Sequence, residues 1–267
     1  MNFDKIESDT IQEIVKDLME KNNFVNRVVR DDVFAELEKY CTVLYFPLED
    51  EIDGCHKRKN VNGKTEQFVF INTNKMLQEQ VFTAAHELGH IWKVDKIFKK
   101  KMHNDKYDSE IIIGRFAAEL LMPKDLFVKQ TKNKLKEMGY DGKTITFGNL
   151  LELIAYLMNY FCVPFKSIVL RFNECKMLEE KNNEAILRYA DSEVLKSILE
   201  KNHYTRLNKV NKSISMKDIG GLIKNVEDSG LFNERKIETI KRLFKLDQDD
   251  TELGKEINVP GLGESNV

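Results

Sequence analysis

Apolar residues recur at helical spacing along most of the chain. Ile11, Ile14, Val15 and Leu18 predict a helix over about 8–22, and Val33, Leu37 and Tyr40 a shorter one over about 31–40. The pattern then changes. Cys41-Thr-Val-Leu-Tyr-Phe46 is rich in β-formers and reads as a strand. A polar stretch from Glu49 to Gln67 carries Asp53-Gly54 and Asn62-Gly63, and Asn-Gly is a strong hairpin signal. The run Gln67–Thr73 is therefore the returning strand of a small twisted sheet. A long helix follows, starting after Asn74, an N-cap residue type. In it Leu77, Val81, Ala84, Leu88 and Ile91 make one apolar stripe.

The basic segment Lys96–Lys106 reads as a solvated connector. Tyr107–Met122 is a second long helix with Ile113, Phe116, Ala117, Leu120 and Leu121 on its apolar side, ended by Pro123. Another helix begins near Asp125, and two more, 147–161 and 164–177, join at Cys162-Val-Pro164. After about 178 charged residues dominate. Amphipathic helices are expected over 185–200, 216–227 and 233–246, with Ser215-Met-Lys-Asp218 as a capping box. From Asp247 onward the sequence reads as a tail. The expected organisation is α+β: a mainly helical core with a small sheet over 1–178, including helix–turn–helix-like helices over 147–177, then a helical extension over 179–267.

Composition narrows the picture. The formal net charge of −2 provides no global footprint for nucleic acid or an anionic membrane. Cys41, Cys55, Cys162 and Cys175 are scattered, without C-x-x-C spacing, and read as free thiols of a reducing compartment. The N-terminus has no basic start followed by an apolar run, so no secretory signal is expected. The apolar stretch 150–165 is short and contains Glu152 and Asn159, which suits a core helix better than a membrane span. A soluble cytoplasmic protein is expected.

Candidate chemistry centres on Phe82-Thr-Ala-Ala-His-Glu-Leu-Gly-His90. It contains H-E-x-x-H, which on a helix places His86 and His90 one turn apart on one face, where two imidazoles can converge on one ion. Both project roughly opposite the helix's apolar stripe, about 180° and 220° from its centre. Glu87, displaced by one position, stays off the ion and is free to act on a water there. His56, His103 and His203 carry no such pattern and read as structural.

Catalytic zinc takes three protein ligands and leaves a position for water. No downstream H-x-x-G-x-x-H pattern appears, so the third ligand should come from the next helix, where Asp108, Glu110 and Glu119 compete. With Ile113, Ala117 and Leu120 inward, Glu110 lies about 60° from the stripe centre, and Asp108 and Glu119 about 220° to 240° away. A carboxylate beside an apolar stripe needs a partner, which favours Glu110.

Phe82–His90 followed by Phe116-Ala-Ala-Glu-Leu-Leu-Met-Pro123 resembles the ImmA/IrrE family of metallopeptidases, and Tyr160-Phe-Cys-Val-Pro-Phe-Lys-Ser-Ile-Val-Leu-Arg171 is similar to the segment that follows its core. The resemblance extends over about 8–178. It implies a zincin-like core of bacterial, phage or mobile-element origin and cleavage of a transcriptional repressor, with one zinc per chain. By position it implies His86, His90 and Glu110 as ligands and Glu87 as acid/base. Where the family has Ala-Asn after the ligand Glu, this chain has Ile113-Gly114. An Asn there could hydrogen-bond a ligating imidazole, and losing such a bond costs about 10- to 100-fold in affinity or activity.

The expected reaction is peptide-bond hydrolysis, with Glu87 taking the proton of a water and passing it to the leaving amine. The strand Gln67–Thr73 is a candidate edge for an extended substrate, and Tyr107 and His103 are candidates for the oxyanion. Other functions stay open on sequence alone: a regulator that binds protein or DNA with a structural or vestigial zinc site, and a toxin of a toxin–antitoxin pair.

Overall fold

A computed structural model describes residues 4–23, 28–61, 63–140, 144–230 and 232–246. The chain divides into two compact units, Met1–Ser213 and Ile214–Val267. The change of composition near 178 thus falls inside the first unit.

The first unit is an α+β core. Helix α1 (Lys5–Lys21) begins at Asp4, whose carboxylate accepts from the Glu7 amide at 2.8 Å, and it buries Ile11, Ile14, Val15 and Met19. Helix α2 (Asp32–Leu37) buries Val33 and Leu37. Strands β1 (Thr42–Phe46), β2 (Gly54–Val61) and β3 (Lys64–Asn72) follow, in the order β2-β3-β1. β3 runs parallel to β1, with Val43 opposite Val69, and antiparallel to β2, with His56 opposite Val69.

The strands differ from expectation in one consequential way. The polar stretch before Asn62-Gly63 is itself a strand, β2, and β3 lies between β2 and β1. Gln67–Thr73 is therefore interior to the sheet and cannot offer an edge to a substrate; β2 is the edge. Strands at edges tolerate lysine and need no apolar alternation, which hid β2 from the pattern.

Asn72 anchors the loop that joins β1 to β2. Its buried amide oxygen accepts from the Leu48 and Asn74 amides, both at 2.9 Å. Its nitrogen donates to the carbonyls of Glu49 and Ile52 at 2.9 and 2.6 Å. All four capacities of the group are met, so it fixes the approach to Gly54.

Helix α3 (Leu77–Ile91) starts at Met76, whose amide donates to Glu79 at 2.9 Å. Asn74 is not its cap, because that side chain donates to Leu48 O at 2.6 Å. The Lys96–Lys106 segment is not a connector. It forms α4 (Val94–Met102), with Val94 and Phe98 buried one turn apart beneath the lysines. Helix α5 (Ser109–Leu121) packs against α3, and α6 (Lys124–Glu137) follows Pro123.

Helices α7 (Phe147–Phe161) and α8 (Phe165–Glu174) meet at a 102° bend. Leu151, Leu153, Ile154, Leu157, Met158 and Phe161 of α7 are buried. Among the described residues no single helix is long and apolar enough to cross a membrane. The expected helix over 185–200 is two, α9 (Asn183–Leu187) and α10 (Glu193–Lys201). Ser192 splits them by capping α10, its hydroxyl accepting from Leu195 N at 3.2 Å.

In the second unit a two-residue strand, β4 (Ser215–Met216), stands where a capping box was expected. Asp218 at the start of α11 (Ile219–Ser229) makes no side-chain cap. α11 and α12 (Glu234–Leu243) bury Ile223 and Ile237, and Lys241 pairs with Glu227 at 2.6 Å. The expected break at 141–142 and the tail from 247 lie outside the described residues.

Candidate metal centre

Helix α3 is buried on more than the expected stripe: Val81, Ala84, Ala85, Leu88 and Gly89 are all covered. What remains is a narrow face bearing His86 and His90, whose Nε2 atoms lie 3.2 Å apart. Glu110, in the first turn of α5, reaches this face. Its Oε2 is 3.0 Å from His86 Nε2 and its Oε1 is 3.4 Å from His90 Nε2. One donor atom from each of the three falls within 4.8 Å of the others.

The approach of the two helices depends on Gly89. A Cβ at that position would stand 2.8 Å from a Phe116 ring carbon and 3.0 Å from Ile113 Cγ2, both side chains of the buried core. Glycine therefore lets α5 close on α3, and the closeness puts Glu110 over the imidazoles. Asp108 has a different task. It caps α5 by accepting from the Glu110 amide at 2.8 Å, which fixes the turn carrying Glu110.

Glu87 is buried between α3 and the sheet, and its Oε2 has no hydrogen-bond partner among the described residues. Burial, with Glu110 adding to it, raises the Glu87 carboxyl above its ordinary value, opposed by His90. Burial and the neighbouring His90 lower the His86 imidazole, opposed by Glu110. A neutral imidazole is the form that ligates a cation.

The sequence left out His56. From β2 its Nδ1 sits 4.0 Å from Glu87 Oε2, while its own Nε2 is buried without a partner. Burial first, then Arg58, lower its pKa. Only the pairing of β2 with β3 brings it here; a lone histidine in a polar segment carries no local signal. The cleft is lined by Glu51, Ile52, Asp53, Gly54 and His56 on one side and by Phe82, Thr83, His86, Glu87, His90 and Glu110 on the other. Gly54 is needed for its shape, since a Cβ there would be 2.6 Å from both Phe70 O and Thr83 Cγ2.

His103 and Tyr107, the oxyanion candidates, do not line this cleft. His103 is exposed at the end of α4, and the Tyr107 ring packs edge-on against Phe98, 5.2 Å between centroids. His203 is likewise exposed, after α10. Glu119, placed on the far side of α5 from the apolar stripe, is buried and pairs with Arg171 of α8. It also accepts from the Lys124 amide at 3.0 Å. Arg171 donates further to Met122 O and to Glu174. The Leu-Leu-Met-Pro turn is thereby tied to α8. Glu110, expected beside a buried stripe and in need of a partner there, is instead open to solvent, its side chain 67% exposed.

Two imidazole nitrogens, one carboxylate and, beside them, a buried carboxylate with one oxygen free of hydrogen bonds match the donor set of a hydrolytic zinc site with three protein ligands. Helices, sheet edge and H-E-x-x-H thus define a metallopeptidase-like domain. Residues 40–173 match the IrrE N-terminal-like domain, a peptidase family, and the chain belongs to that family, ImmA/IrrE. It is also similar to the uncharacterized immunity region protein 2 of Bacillus phage phi105, 35% identical over 106 residues, which cover 37% of this chain and 63% of that relative. All four cysteines are free thiols.

Proposed function

We propose that the chain is a zinc-dependent endopeptidase that cleaves a transcriptional repressor, acting as the anti-repressor of a phage or mobile element or as a stress regulator. The convergence of His86, His90 and Glu110 around one point, with Glu87 buried alongside, carries this reading. The likeness to a phage immunity-region protein supports the choice of substrate. His86, His90 and Glu110 would hold the ion, one per chain. Zinc, when bound, supplies Lewis acidity toward the scissile carbonyl and makes water a better nucleophile at neutral pH.

Glu87 takes the proton of the attacking water on its carboxylate and returns it to the leaving amine. Its raised pKa suits that exchange, since a general acid/base works best near the operating pH. His56, facing the Glu87 carboxylate across 4.0 Å, helps hold it in place. The cover of α3 and the sheet keeps bulk water from that carboxylate.

The test is incubation of the protein with the repressor encoded beside it, with and without chelator. Cleavage should require the metal. Glu87→Gln should keep zinc and lose about 10²- to 10⁴-fold in rate. If that variant still cleaves at the parent rate, Glu87 is not the acid/base.

A further inference from the structure

The outer part of β2 carries charge that this chemistry does not use. β2 leaves the cleft at Gly54 and His56 and runs outward through Lys57, Arg58, Lys59 and Asn60, all exposed. It is the edge strand, paired with β3 on one side only among the described strands. From Lys57 to Gln67 the sequence holds four cations, Lys57, Arg58, Lys59 and Lys64, against one acid, Glu66. Glu66 stands opposite Lys59 in register, yet no ion pair within 4.0 Å joins any of the three β2 cations to an acid among the described residues. Strand alternation puts Arg58 on the same face as His56, about 7 Å further from the centre. The inner end of the cleft holds Glu87 and Glu110 around the proposed ion, and its Asp53 pairs with Lys75 at 3.1 Å.

We propose that the β2 edge receives an extended acidic segment of the protein substrate by strand addition, with carboxylates roughly two to five residues from the scissile bond. The inference rests on the peptidase reading for where that bond lies. The open N–H and C=O groups of the edge pair with a peptide backbone, and Lys57, Arg58 and Lys59 meet its carboxylates. The cations lie only on the outer part of the strand, so the charge pattern sets a register as well as a preference. A nucleic acid fits less well, because it cannot use the edge's alternating donors and acceptors.

The test uses the zinc-loaded full chain carrying Glu87→Gln and short fluorescein-labelled peptides that differ only in Glu, Gln or Lys at the outer positions. Binding is read by fluorescence anisotropy at low and physiological salt. The Glu peptide should bind about tenfold more tightly than the Gln peptide, the summed effect of three exposed ion pairs, and salt should erode the difference. Lys57→Gln/Arg58→Gln/Lys59→Gln should abolish the preference, and Lys57→Glu/Arg58→Glu/Lys59→Glu should reverse it. Lys132→Glu/Lys136→Glu/Lys166→Glu, at exposed cations on α6 and α8, should leave it intact. Equal binding of the Glu and Gln peptides would overturn the proposal, leaving the cations as guards against edge-to-edge pairing. So would duplex DNA binding through the same cations with no peptide preference. Acid preference in this variant, with no metal-dependent cleavage by the parent chain, would sustain this inference while the peptidase reading fell. Cleavage at a site lacking acidic residues in that range would do the opposite.

Discussion

Glu110 and Glu119 stand nine residues apart on α5, about 900° of helical rotation, and so project from opposite faces. Their surroundings are opposite too. Glu110 is 67% exposed and lies over two imidazoles, while the Glu119 side chain is 8% exposed and locked to Arg171. Glu119 shares its guanidinium with Met122 O and Glu174, and Arg115 also pairs with Glu174. One end of the helix holds a carboxylate ready for an ion; the other ties α5, α6 and α8 into one block. On α5, therefore, the buried carboxylate is the structural lock and the exposed one is the candidate ligand. A carboxylate waiting for a cation does better in water than in an apolar site without its partner.

Five substitutions would break or sharpen this contrast. The largest effect should come from Glu110→Ala, which removes one of the three proposed ligands: zinc content, measured by elemental analysis, should fall from about one per chain to near zero. Folding stability of the metal-free protein should shift by no more than about 0.5 kcal/mol, as for an exposed site. Full metal retention by that variant would take Glu110 out of the ligand set. Glu119→Ala should do the reverse. It leaves buried Arg171 with Glu174 as its remaining carboxylate and should cost about 1–3 kcal/mol in urea denaturation. Adding Arg171→Met should recover part of that loss, because the half-paired buried charge is then gone; no recovery would mean that the pair is not the source.

Gly89→Ala comes next. Helix propensity favours alanine by about 1 kcal/mol, but the contact with Phe116 and Ile113 forces α5 outward at a cost of about 1–3 kcal/mol. The expected outcome is a modest loss of stability together with weaker zinc binding, since Glu110 moves with α5. Unchanged affinity in a calorimetric titration would separate helix spacing from ligand placement. The smallest effect is expected of Gly114→Asn. A Cβ there meets nothing within 4 Å, so stability should change by only a few tenths of a kcal/mol. If the new amide reaches an imidazole, zinc affinity rises; if affinity is unchanged, the histidines are oriented by other means.

Much of the local architecture was legible in the chain because it is set within a few residues. The H-E-x-x-H spacing, the apolar stripe of α3, the Pro123 stop and the bend at Cys162-Val-Pro164 are consequences of helical period and ring chemistry. The α4 helix was hidden because Val94 and Phe98 are diluted by lysines that only line its outer face. β2 was hidden because an edge strand can be polar throughout.

His86, Glu87 and His90 were therefore fixed as a local set by the sequence alone. The position of Glu110 was also readable, but for a reason the fold does not support, since the residue is not beside a buried stripe. Tertiary structure decided everything that depends on neighbours distant along the chain. It placed His56 against Glu87 across the sheet, put Arg171 over Glu119 from 52 residues away, and moved the free edge from β3 to β2. Helical and strand periods report only which face a residue shares with its near neighbours. What covers that face is set by packing between elements, and no local period encodes it.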